Sequence, residues 1–96
     1  LDRKIKRVAV CGGAGASLIN QAVLKGAECY ITGDIKYHGA RDAEAMGLTV
    51  VDAGHFNTEN FIVPPLCEWL KEEFAKRKVD IAVWASKSIT EPWKYY

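Results

Sequence analysis

The sequence predicts an α/β domain built on a mostly parallel sheet, with helices on both faces in three layers. Three observations carry this. Short apolar runs rich in valine and isoleucine alternate with segments of helical spacing. The runs are continuously apolar rather than alternating, as strands covered on both faces are. Glycine punctuation closes most runs, at Gly12-Gly13, Gly33-Asp34 and Asp52-Ala53-Gly54, where a strand must turn into a helix. The order read from the chain is βαβαβαβ. With 96 residues, 49% of them hydrophobic and 26% charged, we expect one domain over residues 1–96.

Taken in order, Arg7 to Cys11 reads as the first buried strand. Gly12, Gly13, Ala14, Gly15, Ala16 and Ser17 form a glycine corner, with the Ser17 hydroxyl placed to cap the next helix. Leu18, Ile19, Ala22 and Val23 recur at helical spacing, and Gly26 suits a C-terminal cap. Glu28 to Thr32 is the second strand, closed by Gly33 and Asp34. A short helix is expected from Lys36 to Met46, with Gly39, Ala40 and Ala43 small enough for close packing on a sheet. Leu48 to Asp52 is the third strand. A helix beginning near Asn57 or Thr58 should break at Pro64 and Pro65, with Pro65 in the first turn of a restarted helix. Leu66, Trp69, Leu70 and Phe74 make its apolar stripe. Asp80 to Ala85 reads as a fourth strand. Ile89 to Tyr96 offers a short edge strand, kept from a central position by Pro92.

Composition excludes several function classes. A net charge of +1 gives no footprint for nucleic acid or an anionic membrane. No apolar run reaches the length of a membrane span, and the charged start shows no signal peptide. Cys11, Cys29 and Cys67, an odd and scattered set, fit a reducing cytoplasm rather than a disulfide framework. We read these cysteines, with Trp69 and Trp84, as core. The first residue is Leu1 rather than methionine, so we expect a fragment or a processed product.

In a parallel sheet the carboxyl ends of the strands share one edge, and ligands bind there. Three polar corners fall on that edge: Gly12 to Gly15, Thr32 to Asp34, and Asp52 to His55. The amides at Gly12, Gly13 and Gly15, with Ser17, can cradle a phosphate or carboxylate, or the glycines can simply permit a tight turn. His55 and Glu59 lie on one side of a strand-to-helix corner. They can hold a divalent metal or act as base and orienter, while Glu59 alone is also an ordinary residue for a helix start. His38 is a proton carrier, a residue that orients a metal ligand, or an exposed helix histidine. Asp34 is a cap or a rim carboxylate, and Asp52, Asp34 and His38 are available to complete a metal site.

Three stretches resemble one family. They are Val8 to Ser17 (VAVCGGAGAS), Tyr30 to His38 (YITGDIKYH) and Asp52 to Glu59 (DAGHFNTE). In this order and spacing, with Thr90-Glu91-Pro92-Trp93 at the end, the chain is similar to the C-terminal part of the NIF-three-like (Ngg-one-interacting-factor-three-like) dinuclear metal-centre proteins. These are also called GTP cyclohydrolase I type-two homologues. The resemblance implies that His55 and Glu59 are metal ligands in a site holding two divalent transition metals per full-length subunit, whether zinc, iron or manganese. It implies that the remaining ligands, a His-His pair and an aspartate, come from the N-terminal half. It also implies a homo-oligomeric ring. Activity as a metal-dependent hydrolase on a nucleotide-like small molecule is one expectation. A non-catalytic metal-binding assembly or regulatory protein is the other.

Overall fold

The structure is a computed structural model, and it describes residues 3–88 and 90–94. The chain divides into two compact units, residues 1–59 and 60–96. The first unit holds three strands, β1 (Val8–Ala14), β2 (Cys29–Gly33) and β3 (Thr49–Asp52). They form one wholly parallel sheet in the order β1-β2-β3. The crossovers are a single 3₁₀ turn, Ala16–Leu18, running into α1 (Ile19–Leu24), and then α2 (Tyr37–Ala45). α3 (His55–Asn60) follows β3.

The α/β class and the parallel sheet agree with the sequence. The core is Ile19, Ala22, Tyr30, Ala43 and Leu48, flanked by Ala9, Cys11 and Val50. It therefore joins α1 and α2 across a single sheet face, that of Ala9, Tyr30 and Val50, which are cross-strand neighbours. The strand order explains this. Two crossovers of the same hand, stepping the same way across the sheet, land on the same side. The opposite face carries Val10, Ile31 and Val51 in register, and Val10 is 69% exposed.

β1 runs further than expected. The glycine corner does not leave the sheet at Gly12 but continues as strand to Ala14. Val10 pairs with Ile31, and the next pair is Ala14 with Gly33. Four steps on β1 thus match two on β2, which is a bulge of two extra residues. Gly13 supplies the left-handed backbone, φ +74°, that the bulge requires. Ser17 falls inside the 3₁₀ turn and makes no cap, because the chain reaches helical geometry before it.

The second unit contains α4 (Val63–Lys76), with proline in its first turn as expected. The break falls at Phe61 and Ile62, just ahead of the prolines, since Pro64 and Pro65 fit a helix start but not an interior. The expected fourth strand does not form: residues 80–85 pair with no strand among the described residues. An apolar run becomes a strand only when a neighbour supplies ladder hydrogen bonds. Trp69 and Trp84, read as core, are exposed at 56% and 77%, and no residue of α4 is buried. A single helix has no second layer of its own to bury a stripe against. In the tail, residues 90–94 form no strand, and Ile89, Tyr95 and Tyr96 lie outside the described residues.

Candidate functional site

The carboxyl ends of β1, β2 and β3 bring the three polar corners together, and hydrogen bonds lock them. Gly33 is the point of closest approach. A Cβ placed there would stand 2.7 Å from the His55 amide nitrogen and 2.9 Å from the Gly13 carbonyl oxygen. Any side chain at this position would force three backbones apart. The glycine after β2 thus sets the spacing of all three corners.

The glycine bulge is held from two directions. The Tyr30 hydroxyl donates to the Gly15 carbonyl at 2.7 Å, and the buried Thr32 hydroxyl donates to the Gly13 carbonyl at 3.2 Å. Burial, with an added contribution from Cys11, raises the Tyr30 pKa and keeps that donor protonated. From α3, the Thr58 hydroxyl accepts the Gly13 amide at 2.8 Å and donates to the Gly54 carbonyl at 2.7 Å. Of the amides proposed to cradle an anion, that of Gly13 is therefore engaged within the protein. Gly12 and Gly15 allow close contacts instead, Gly12 with the Thr58 carbonyl and Gly15 with the Thr32 and Tyr30 hydroxyls.

His55 opens α3 as its first residue, two or three positions earlier than the start at Asn57 or Thr58 read from sequence. One full turn on, Glu59 lies on the same side of the helix. The His55 Nε2 and Glu59 Oε1 atoms are 2.9 Å apart, and on the other side of the ring Nδ1 is 2.7 Å from Asp34 Oδ2. The hydrogen bond to Asp34 raises the His55 pKa, and the charges of Glu59 and Asp34 act in the same sense, against an opposing desolvation. Asp34 adopts φ +55°, one of two non-glycine residues with positive φ among those described. It makes no helix cap: Lys36 occupies the N-cap of α2 without a side-chain bond. Between the alternatives of cap and rim carboxylate, Asp34 is the rim carboxylate.

Asp52 plays a part that sequence reasoning did not find. Its Oδ2 accepts the Ile35 amide and its Oδ1 accepts the Gly54 amide, both at 3.0 Å. One carboxylate thus ties the loop after β2 to the loop after β3. Thr58 was missed in the same way. The Asp-x-Gly spacing was a readable sign of a side-chain turn at Asp52, but nothing local points Thr58 at Gly13.

His38 stands on the first turn of α2 and lines an open groove with Ala14, Ser17, Asp34 and Lys36. Its ring meets the Tyr37 ring edge to face, with centroids 5.6 Å apart. The groove shares Asp34 with the His55 cluster, so the two places adjoin.

The donor set suits a divalent ion. An imidazole nitrogen and a carboxylate oxygen converge, and the other ring nitrogen is anchored by a second carboxylate, as in many metal-bound histidines. The wall opposite is Gly13, where a Cβ would stand 2.5 Å from Glu59 Oε2 and 3.3 Å from His55 Nε2. Only two protein donors converge, however. No group of three His, Cys, Asp or Glu side chains able to hold a metal exists among the described residues. The residues fit one side of a centre.

The fold and cluster define the class: a parallel α/β unit with a histidine–carboxylate pair at the carboxyl edge of its sheet. Residues 1–92 match the family described as Duf34/NIF3 (NGG1p interacting factor 3), and the chain belongs to that family. A Staphylococcus aureus protein named GTP cyclohydrolase 1 type 2 homolog is 39% identical over 94 residues, 98% of this chain and 25% of that protein. The crystal structure of a Bacillus cereus protein related to NIF3 superposes with a TM-score of 0.92 at 42% identity, covering 100% of this chain and 26% of that one. Reduced HcgD from Methanocaldococcus jannaschii gives a TM-score of 0.60 at 37% identity, covering 68% of this chain and 27% of that one. The chain thus spans about a quarter of the length of these relatives.

Proposed function

We propose that this chain supplies the His55–Glu59 half of a dinuclear metal centre, in a longer protein acting as a metal-dependent hydrolase on a nucleotide-like substrate. The carrying observation is the 2.9 Å convergence of His55 Nε2 and Glu59 Oε1 beside a glycine wall. The GTP cyclohydrolase name of the relatives supports the substrate class. A divalent ion bound by this pair supplies a Lewis acid and eases deprotonation of water. His55 binds through Nε2, Glu59 through a carboxylate oxygen, and Asp34 keeps the ring oriented. His38, in the adjoining groove, is placed to carry a proton to or from a substrate lying there. We further propose that the longer protein is a cytoplasmic homo-oligomer.

Elemental analysis tests the metal reading. The full-length protein is expected to hold two transition-metal ions per subunit and the 96-residue chain little or none. His55→Ala in the full-length protein should lose metal and turnover of a nucleotide panel together. Tight stoichiometric metal in the chain alone would sink the half-site reading. Undiminished turnover in His55→Ala would remove the hydrolase mechanism from this site.

A further inference from the structure

We propose that Asp34 is a positioning residue that sets the tautomer of His55, and that Asp52 fixes the loop from which it acts. The inference rests on the reading of His55 as a ligand through Nε2, and it adds how that nitrogen is kept free to bind.

A carboxylate accepts hydrogen bonds and donates none. Both ring nitrogens of His55 face one, Nδ1 with Asp34 Oδ2 at 2.7 Å and Nε2 with Glu59 Oε1 at 2.9 Å, so the protonated ring donates to both. When the ring gives up one proton, the one it keeps is that on Nδ1, held by the shorter hydrogen bond to Asp34, and the lone pair falls to Nε2 beside Glu59. A free histidine side chain favours the opposite tautomer, with the proton on Nε2, which cannot bind a metal through that atom. Asp34 reverses the default.

The backbone is shaped for this contact. Asp34 holds φ +55°, a conformation that disfavours most side chains and that aspartate and asparagine tolerate better than others. A residue held there, next to a cluster of this kind, must be over-determined by its surroundings. Asp52 provides the determination. It grips the amide of Ile35, immediately after Asp34, and the amide of Gly54, immediately before His55. Gly33 lets those two loops touch. The donor and the acceptor of the Asp34–His55 bond are thus both fixed, on opposite sides, by a single carboxylate.

The test uses the full-length protein, stripped of metal and labelled with ¹⁵N in the histidine ring. Two-bond ¹H–¹⁵N spectra are recorded on the alkaline side of the His55 titration, with His55→Ala identifying the signals. Wild type should show the Nδ1–H form. Asp34→Gly, which relaxes the positive φ without supplying an acceptor, should keep or raise the melting temperature yet move His55 to the Nε2–H form. Zn²⁺ affinity, titrated against a competing chelator, should fall about 10- to 100-fold. Asp34→Asn retains an acceptor oxygen and should restore the tautomer. Asp52→Ala should yield a tautomer mixture with Asp34 intact. An Nε2–H ring in wild type, or an unchanged tautomer in Asp34→Gly, would overturn the proposal. Tautomers as expected with no Zn²⁺ bound to wild type would leave the positioning role standing and remove the metal reading.

Discussion

His55 meets a carboxylate at each ring nitrogen, and this fixes how its proton behaves. The hydrogen bond to Asp34 is the main cause raising its folded-state pKa above the ordinary value of 6.5. The folded chain therefore holds this proton more tightly than the unfolded chain does. The stabilisation is complete below about pH 6.5 and is lost as pH rises through the elevated folded value. Urea midpoints of the metal-free chain, taken across that window, should fall as pH rises, and His55→Gln should flatten the profile. An equal slope in both proteins would refute the assignment. The pair His55 and Glu59 was legible because i, i+4 spacing is a local property of helices. The partner Asp34 was not, since its side chain turns toward His55 only through a positive φ and a contact 21 positions away in sequence. Asp52 was readable as a side-chain turn onto Gly54, but its second bond, to Ile35, needs the two loops side by side in space.

At the scale of elements, α3 and the end of β1 are coupled through Thr58. Its hydroxyl closes a chain from the Gly13 amide to the Gly54 carbonyl. Thr58→Val keeps the shape and leaves the buried Gly13 amide without its acceptor. A loss of about 1–3 kcal/mol in unfolding free energy is expected by denaturant titration. No measurable loss would mean that the bulge stands without α3. Strand and helix order in residues 7–60 followed from apolar periodicity and glycine punctuation. The bulge did not, because GGAG serves a turn and a widened strand equally well, and only pairing with Ile31 and Gly33 separates them. The stretch 80–85 failed for the converse reason. Its composition suits a buried strand, yet pairing depends on a neighbour that composition does not report.

At the scale of the molecule, residues 3–59 concentrate their core on one side of the sheet. Tyr30 and Ala43 are buried there, while Val8, Val10 and Val51 remain exposed on the other side. Continuously apolar strands led to the expectation of helices packed on the sheet, and α1 and α2 supply the layer on the face of Tyr30. Substituting Val10, 69% exposed, should cost little in this chain. Val10→Lys should change unfolding free energy by no more than about 0.5 kcal/mol. A loss several times larger, in a denaturant titration of the 96-residue chain, would show that this face is covered after all.

The bulge in β1 adds an even number of residues, and that parity has a consequence for length changes. Val10 and Ala14 keep the same alternation as their partners Ile31 and Gly33, so the strand resumes beyond the bulge with its facing preserved. Deleting one glycine would invert the facing of everything from Ala14 to the start of α1. Deleting both would preserve it and remove the wall beside His55 and Glu59. The shortest length change that spares the fold is thus the one that dismantles the site.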